Sequence, residues 1–416
     1  MLSLDEAKCA LRAELDKFVA QNTSKELEEK LLSDCLGSVL AKDIFSSIDV
    51  PPADNSAMDG YAINTNDLRD TNTLTISQRI PAGARPLTLK ENTAARIFTG
   101  AEIPKGADAV VMQENCTLVD DDSVCVNQTP SPNTNIRAQG QDIAKGSCVL
   151  KSGTRLGAEH LALLASIGVA KINTFKPLRV GIFSTGDELV EPGQALQAGQ
   201  IYNSNQTMIE TLLKQMYCEV STYKAVNDTF EETCEVLRTA SKNVDLVIST
   251  GGVSVGEEDH VKSAVKSLGS LNLWKVNIKP GKPFAFGAIN ASVTSTLTTS
   301  TSTDARYTPF IGLPGNPVSA YVTFLLLAKN IIRILQGEEQ KPLQSFSLPA
   351  GFSITRETRR PEYIRVRFDK GHIERFPNQS SGVLSSVCWA QGLALIPAGT
   401  LINEGDLLDV YPWEFI

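Results

Sequence analysis

The chain has 416 residues, a formal net charge of −8 and a pI near 5.2, with 42% hydrophobic and 21% charged residues. That length exceeds one hydrophobic core and predicts about two to four domains, and the acidic balance argues against nucleic acid or an anionic membrane as the main partner. Eight cysteines occur with no C-x-x-C pair, against a zinc knuckle; the start lacks a basic n-region and an apolar h-region, and no apolar run reaches the ~18 residues of a membrane span, so the expectation is a cytoplasmic protein with reduced thiols.

Ser3-Leu4-Asp5-Glu6 has the form of a capping box, and Leu4, Ala7, Leu11, Leu15 and Val19 make a helical stripe behind it. A second short helix is expected over roughly Leu31–Ala41. From Asp49 the texture changes: Pro51-Pro52 breaks helix, and short apolar alternations such as Thr73–Ile76 and Ala109–Met112 predict a β-rich unit to about Gln139. Leu156–Ile167 is helical again, so a first, elongated helical or mixed domain (1–48 plus 141–177) is expected to resume after a β-rich insertion (49–140).

After Pro177, strands and helices alternate to about Gln336. Strands are expected at Arg179–Phe183, Glu219–Ala225, Val244–Thr250 and Pro309–Leu313. Helices are expected at Asn205–Tyr217, Asp228–Ala240, from His260 to Leu268, and from Pro317 onward. This rhythm predicts a doubly wound α/β domain (178–336), with ligands held at the carboxyl ends of its strands. Ala291–Asp304 is a low-complexity Ser/Thr run, read as a flexible loop. Strand patterns at Tyr363–Phe368, Leu393–Ile396 and Leu407–Tyr411 predict a small C-terminal β-barrel (337–416).

Several loops are candidates for chemistry. Ser184-Thr185-Gly186-Asp187-Glu188 and Ser249-Thr250-Gly251-Gly252-Val253-Ser254-Val255-Gly256-Glu257-Glu258-Asp259 both follow apolar runs. Singly, each is ordinary, since glycines serve tight turns and acids after Thr-Gly favour the start of a helix. Together they repeat Ser-Thr-Gly followed by acids at two strand ends of one domain. Lys279-Pro280-Gly281-Lys282-Pro283, with Lys275 upstream, adds donors for a phosphate-type ligand. Carboxylates beside such donors make sense if they hold a hard cation such as Mg²⁺: Gly251, Gly252 and Gly256 can approach a phosphate while Asp259 reaches the metal. The three histidines, His160, His260 and His372, are not required as a general base.

In order, DNSAMDGYA, RIFTGAEIPKGADAVVMQE, STGDELVEPG, STGGVSVGEED, IKPGKPFAFG and GLPGNPVSA resemble the MoeA family of molybdopterin molybdenumtransferases, which includes the C-terminal domain of gephyrin. The resemblance runs over roughly residues 4–411. It implies an elongated homodimer of four-domain chains whose third domain binds molybdopterin. It also implies an activity: insertion of molybdenum from molybdate into adenylylated molybdopterin, with release of AMP and help from a divalent cation. Residue by residue, the resemblance makes catalytic candidates of Asp59, Thr99, Asp142, Glu188, Asp228, Asp259, Lys275 and Lys279. Glu188 and Asp259 are assigned to the metal, and Asp59, Thr99 and Asp142 to the second subunit. Substrate contacts are expected from Ser184, Thr185, Gly186, Thr250, Gly251, Gly252, Ser254, Gly256 and Lys282, and from the Pro314-Gly315-Asn316-Pro317 turn with Ser319. The last domain adds Arg360 and Ser381.

Two other readings stay open on the sequence. One is a molybdopterin adenylyltransferase-like enzyme, whose members usually lack the β insertion and terminal barrel. The other is a non-catalytic scaffold of the gephyrin type, disfavoured by the full acidic set. A handover from the adenylyltransferase is a plausible partnership.

Overall fold

The computed structural model describes residues 1–21, 25–226, 228–253, 260–291, 307–340 and 342–414. By its internal contacts the chain forms two units, one of Met1–Glu28, Gly37–Ala41 and Thr174–Ile416, the other of Glu29–Leu36 and Lys42–Asn173. Helix α1 (Leu4–Gln21) opens on the expected capping box: Ser3 N donates to Glu6 Oε2 (2.7 Å) and Glu6 N donates to Ser3 Oγ (3.2 Å). Its stripe residues Ala7, Leu11 and Leu15 are buried in the main core of the larger unit, whereas the sequence pattern grouped this helix with residues 141–177. The helix expected at Leu31–Ala41 does not form. A single 3₁₀ turn, Leu32–Asp34, takes its place, and Gly37 then adopts φ +75°, which ends any helical path.

The smaller unit is built on a six-stranded sheet. Its strands are β1 (Gly60–Ile63), β2 (Thr73–Ile80), β3 (Thr93–Ile97), β4 (Ala109–Met112), β5 (Cys116–Asp120) and β6 (Ser123–Val126), in the order β4-β1-β3-β2-β6-β5. Alternate residues supply two cores, Tyr61, Ile63, Leu74 and Val111 on one side and Ala62, Ile80, Ile97 and Val110 on the other. The central strands are therefore covered on both faces. Helix α2 (Ala158–Ser166) lies in the same unit, within the expected helical segment.

The larger unit carries the α/β domain. Its elements are β7 (Arg179–Ser184), α3 (Ser204–Gln215), β8 (Glu219–Thr222), α4 (Phe230–Asn243), β9 (Leu246–Thr250), α5 (His260–Leu268), β10 (Gly269–Lys275), β11 (Pro283–Asn290), β12 (Tyr307–Leu313), α6 (Pro317–Thr323) and α7 (Lys329–Gln336), the last two joined by a π-helical turn, Phe324–Ala328. The sheet order is β8-β7-β9-β12-β11-β10: the first four strands are parallel and the last two form an antiparallel edge. Val180, Ile182, Leu246, Ile248 and Ile311 face α1, α3 and the α6–α7 helix, while Phe183, Val247 and Phe310 face α4 and α5. The fold is thus doubly wound, as expected, with an antiparallel hairpin the sequence reading did not resolve. The strand expected at Glu219–Ala225 stops at Thr222. The Pro317–Gln336 helix is apolar and long enough to cross a membrane by composition, yet 72% of its most apolar window is buried, and its residues line the main core. Of the Ser/Thr run, residues 292–304 lie outside the described residues.

The C-terminal strands β13 (Phe346–Pro349), β14 (Glu362–Asp369), β15 (His372–Arg375), β16 (Gly392–Ile396) and β17 (Leu407–Pro412) form a five-stranded sheet in the order β13-β17-β16-β14-β15. A parallel bridge from Ala350 to Ile373, with Gly351 N donating to Ile373 O (2.8 Å), joins the two edges. The sheet therefore closes around Ile364, Val366, Ala394 and Val410 as the expected small barrel.

Gly60 has no room for a side chain, because a Cβ there would stand 1.9 Å from Val111 O. Gly60→Ala is expected to push β4 away and cost about 1–3 kcal/mol, read as a lowered urea midpoint. An unchanged midpoint would show that the β1–β4 seam is not tight.

Candidate functional site

Chain direction across the α/β sheet reverses between β7 and β9. From β7 the chain winds through α3 to β8 on one side; from β9 it continues to strands on the other. A crevice at such a reversal, beyond the carboxyl ends of the strands, is where open α/β sheets bind ligands. Here the two Ser-Thr-Gly loops meet. Ser184 and Thr250 are cross-strand neighbours, and their hydroxyls share a buried hydrogen bond of 2.8 Å. Those hydroxyls lock the strand ends together. Gly251 (φ +91°) and Gly252 (φ +65°) bend the chain away, and a Cβ on Gly252 would overlap Val261 at 2.2 Å. Only glycine lets the backbone of this loop run so close to α5.

The acids gather at the same edge. Glu188 is exposed and its carboxylate lies over Gly186, where a Cβ would come within 2.5 Å of it. Asp187 Oδ1 accepts a hydrogen bond from Asp228 N (2.9 Å), tying the loop after β7 to the segment before α4. Across the crevice, Gly315 approaches Gly251, and Asn205 Nδ2 donates to Gly315 O (2.7 Å). Pro314 is buried and Pro317 is the first residue of α6. Asn316 is the N-cap residue, but its exposed side chain makes no capping hydrogen bond.

The first turn of α6 leads from this crevice into a cleft of about 510 Å³, lined by residues 279–283, Ser319, Arg360 and residues 379–381. Three loops build it. Lys279 forms a bridge with the start of β14: its N donates to Pro361 O (2.9 Å) and its O accepts from Tyr363 N (2.7 Å). Val318 N donates to Ser381 O (3.0 Å), and Arg360 Nη1 donates to Ile278 O (3.2 Å). Lys279 Nζ pairs with Glu362 at 2.8 Å. Three cationic side chains and three serines thus line a space with ample room for a small oxyanion, with one carboxylate held against Lys279.

In the smaller unit, Asp59 Oδ1 accepts two hydrogen bonds from Thr99, from N and from Oγ1, both 2.8 Å. These bonds, backbone first, hold the exposed Asp59 carboxyl below the usual carboxylate range, and nearby Arg96 adds to the effect. Asp142 is exposed, with its N bonded to Val50 O (3.0 Å).

The structure therefore brings Lys279, Lys282, Ser319, Arg360 and Ser381 together, and Thr185, Gly186, Glu188, Gly251, Gly252 and Gly315 together at the crevice. Lys275, the last residue of β10, is exposed and outside the cleft lining. Ser254, Gly256 and Asp259 lie outside the described residues. Sequence reasoning missed Gln379, Ser380, Glu362 and the linking carboxylate Asp187. Asp187 was visible as the neighbour of Glu188; nothing in the local pattern marked the others.

Three family models match the chain: "MoeA N-terminal region (domain I and II)" over residues 2–168, "Probable molybdopterin binding domain" over 181–334, and "MoeA C-terminal region (domain IV)" over 347–413. A molybdopterin molybdenumtransferase of Haemophilus influenzae is 41% identical over 380 residues, covering 90% of this chain and 88% of that protein. Gephyrin of Dictyostelium discoideum is 31% identical over 93% of this chain and 58% of its own length. Among solved structures, the molybdopterin biosynthesis moeA protein from Pyrococcus horikoshii OT3 aligns with a TM-score of 0.79 at 27% identity, covering 97% of this chain and 99% of that one.

Because the folded pKa of Asp59 is depressed, its bonds to Thr99 stabilise the protein fully above the ordinary aspartate pKa. That contribution is lost as pH falls through the lowered folded value. Thr99→Val removes the hydroxyl donor and keeps the N–H. A carboxyl NMR titration should then place the Asp59 midpoint nearer the ordinary value but still below it; no movement would mean that the hydroxyl bond is not formed in solution.

Proposed function

The chain belongs to the molybdopterin molybdenumtransferase (MoeA) family, and on that premise we propose how its own residues carry the reaction. It is an enzyme of molybdenum cofactor biosynthesis. One observation supports the finer reading: a cleft where Lys279, Lys282, Arg360, Ser319 and Ser381 converge, one helical turn from the glycine crevice. In this reading adenylylated molybdopterin lies along the crevice, with its phosphates against Gly251, Gly252 and the Gly315 turn, and molybdate enters the cleft. Lys279, Lys282 and Arg360 offset the charge of the oxyanion, and the serine hydroxyls fix its orientation. The two dithiolene sulfurs replace two oxo groups of molybdate, which take up protons and leave as water, while a water oxygen adds to the phosphoanhydride phosphorus as its P–O bond breaks and AMP departs. Positioning and charge neutralisation, rather than a covalent protein intermediate, lower the barrier.

The reading includes Mg²⁺ or another divalent cation. The described acids at the crevice edge, Glu188 with Asp187 and Asp228 beside it, offer only carboxylate oxygens, the donors a hard cation takes. Glu188 would hold the ion with Asp259. When bound, such an ion neutralises phosphate charge and orients the leaving group. The reading also includes four domains with the boundaries set out above, save that α1 packs with the larger unit, and a homodimer in which Asp59, Thr99 and Asp142 of the partner subunit complete the site. It further places the enzyme in the cytoplasm, receiving its pterin from a molybdopterin adenylyltransferase.

The purified protein should release AMP from adenylylated molybdopterin only when molybdate is added, and EDTA should stop it. Asp59→Ala should keep the fold and lower the rate by about tenfold or more. AMP release that ignores molybdate, or none from a folded protein, would overturn the reading.

A further inference from the structure

Arg365 lies on β14 behind the cleft and outside its lining. It is fully buried, the largest side chain among the described residues to be so. Among the described residues no carboxylate forms an ion pair with it. Its Nε donates to Ser386 Oγ (3.0 Å) and its Nη2 to Ser380 O (3.1 Å), while Nη1 has no hydrogen-bond partner. Its main chain grips the neighbouring residue: Arg365 N donates to Gln379 Oε1 (2.9 Å), and Gln379 Nε2 donates to Arg365 O (3.0 Å). Gln379 and Ser380, with Ser381 next in the chain, form one wall of the cleft.

Burying a guanidinium without a carboxylate partner costs free energy, and an apolar side chain of similar volume would fill the space at less cost. Burial pushes its pKa down to about 10, still far above neutral, so the charge persists. A fixed positive charge in a low-dielectric wall favours an anion on the other side. The carboxylate that acts on it through space, Glu362, is already held by Lys279.

We propose that Arg365 is the positioning residue of the oxyanion cleft: it clamps the Gln379–Ser381 wall opposite Lys279 and Lys282 and places a buried positive charge behind the anion. The proposal rests on the reading that this cleft takes molybdate. Arg365 touches neither substrate, so it acts through Ser380 and Gln379.

The test is calorimetric titration of the full-length protein with molybdate, alongside steady-state AMP release, for wild type, Arg365→Lys, Arg365→Met, Ser386→Ala and Arg360→Ala. Lysine keeps the charge but cannot reach Ser380 O and Ser386 Oγ together, so molybdate binding should weaken about tenfold, and more with methionine. Ser386→Ala, which frees only Nε, should weaken it about threefold. KM for molybdate should rise in step while KM for adenylylated molybdopterin holds, a split that general loss of folded enzyme would not produce. Should Arg365→Met fail to fold, Arg365→Lys and Ser386→Ala carry the test. Wild-type molybdate affinity in both of those variants, with weakened binding in Arg360→Ala, would overturn the positioning role and leave the cleft reading standing. Unchanged binding in Arg360→Ala as well would sink the cleft reading, and this inference with it.

Discussion

A short seam of backbone hydrogen bonds decides where the cations of this enzyme face. Lys279 N to Pro361 O, Tyr363 N to Lys279 O and Val318 N to Ser381 O join the α/β domain to the barrel. Without that seam, Arg360 and Ser381 would be surface residues of an independent barrel, and Lys279 and Lys282 a solvated basic turn. With it, they line one cleft. Tyr363 and Leu393 extend the seam into the main apolar core, so the cleft wall is anchored by burial as well as by hydrogen bonds.

The electrostatics divide along the same path. The protein is acidic overall, with a net charge of −8, and its crevice edge carries Asp187, Glu188 and Asp228. One helical turn away the cleft is basic, with Lys279, Lys282 and Arg360 against a single paired Glu362. A doubly charged oxyanion is attracted to the second place and repelled by the first unless a cation intervenes. In the proposed reading the two substrates are sorted by this local charge, against a whole-protein field that would repel both.

Much of the architecture was legible because the central strands β7, β9 and β12 are largely apolar, buried runs closed by glycine. The Leu31–Ala41 segment misled for a physical reason: Leu31, Leu32, Leu36, Val39 and Leu40 mimic helical spacing, yet Gly37 sits at positive φ and the segment turns. Lys279 and Lys282 were legible as a motif. Arg360 and Ser381 were legible only through family resemblance, since their place depends on the docking of the barrel. Arg365 was not legible at all. In EYIRVRFD the first five residues are buried on both faces, so two-residue alternation cannot distinguish a buried arginine from an exposed one such as Arg367.

In the proposed function the oxyanion sits between the lysine turn and the barrel loop. A crystal structure with tungstate, located by its anomalous scattering, tests it most directly. One ordered oxyanion is expected within hydrogen-bonding distance of Lys279 or Lys282 and of Arg360 and Ser381. Tungstate bound elsewhere, with Lys279 still paired to Glu362, would show that the cleft does not take the oxyanion.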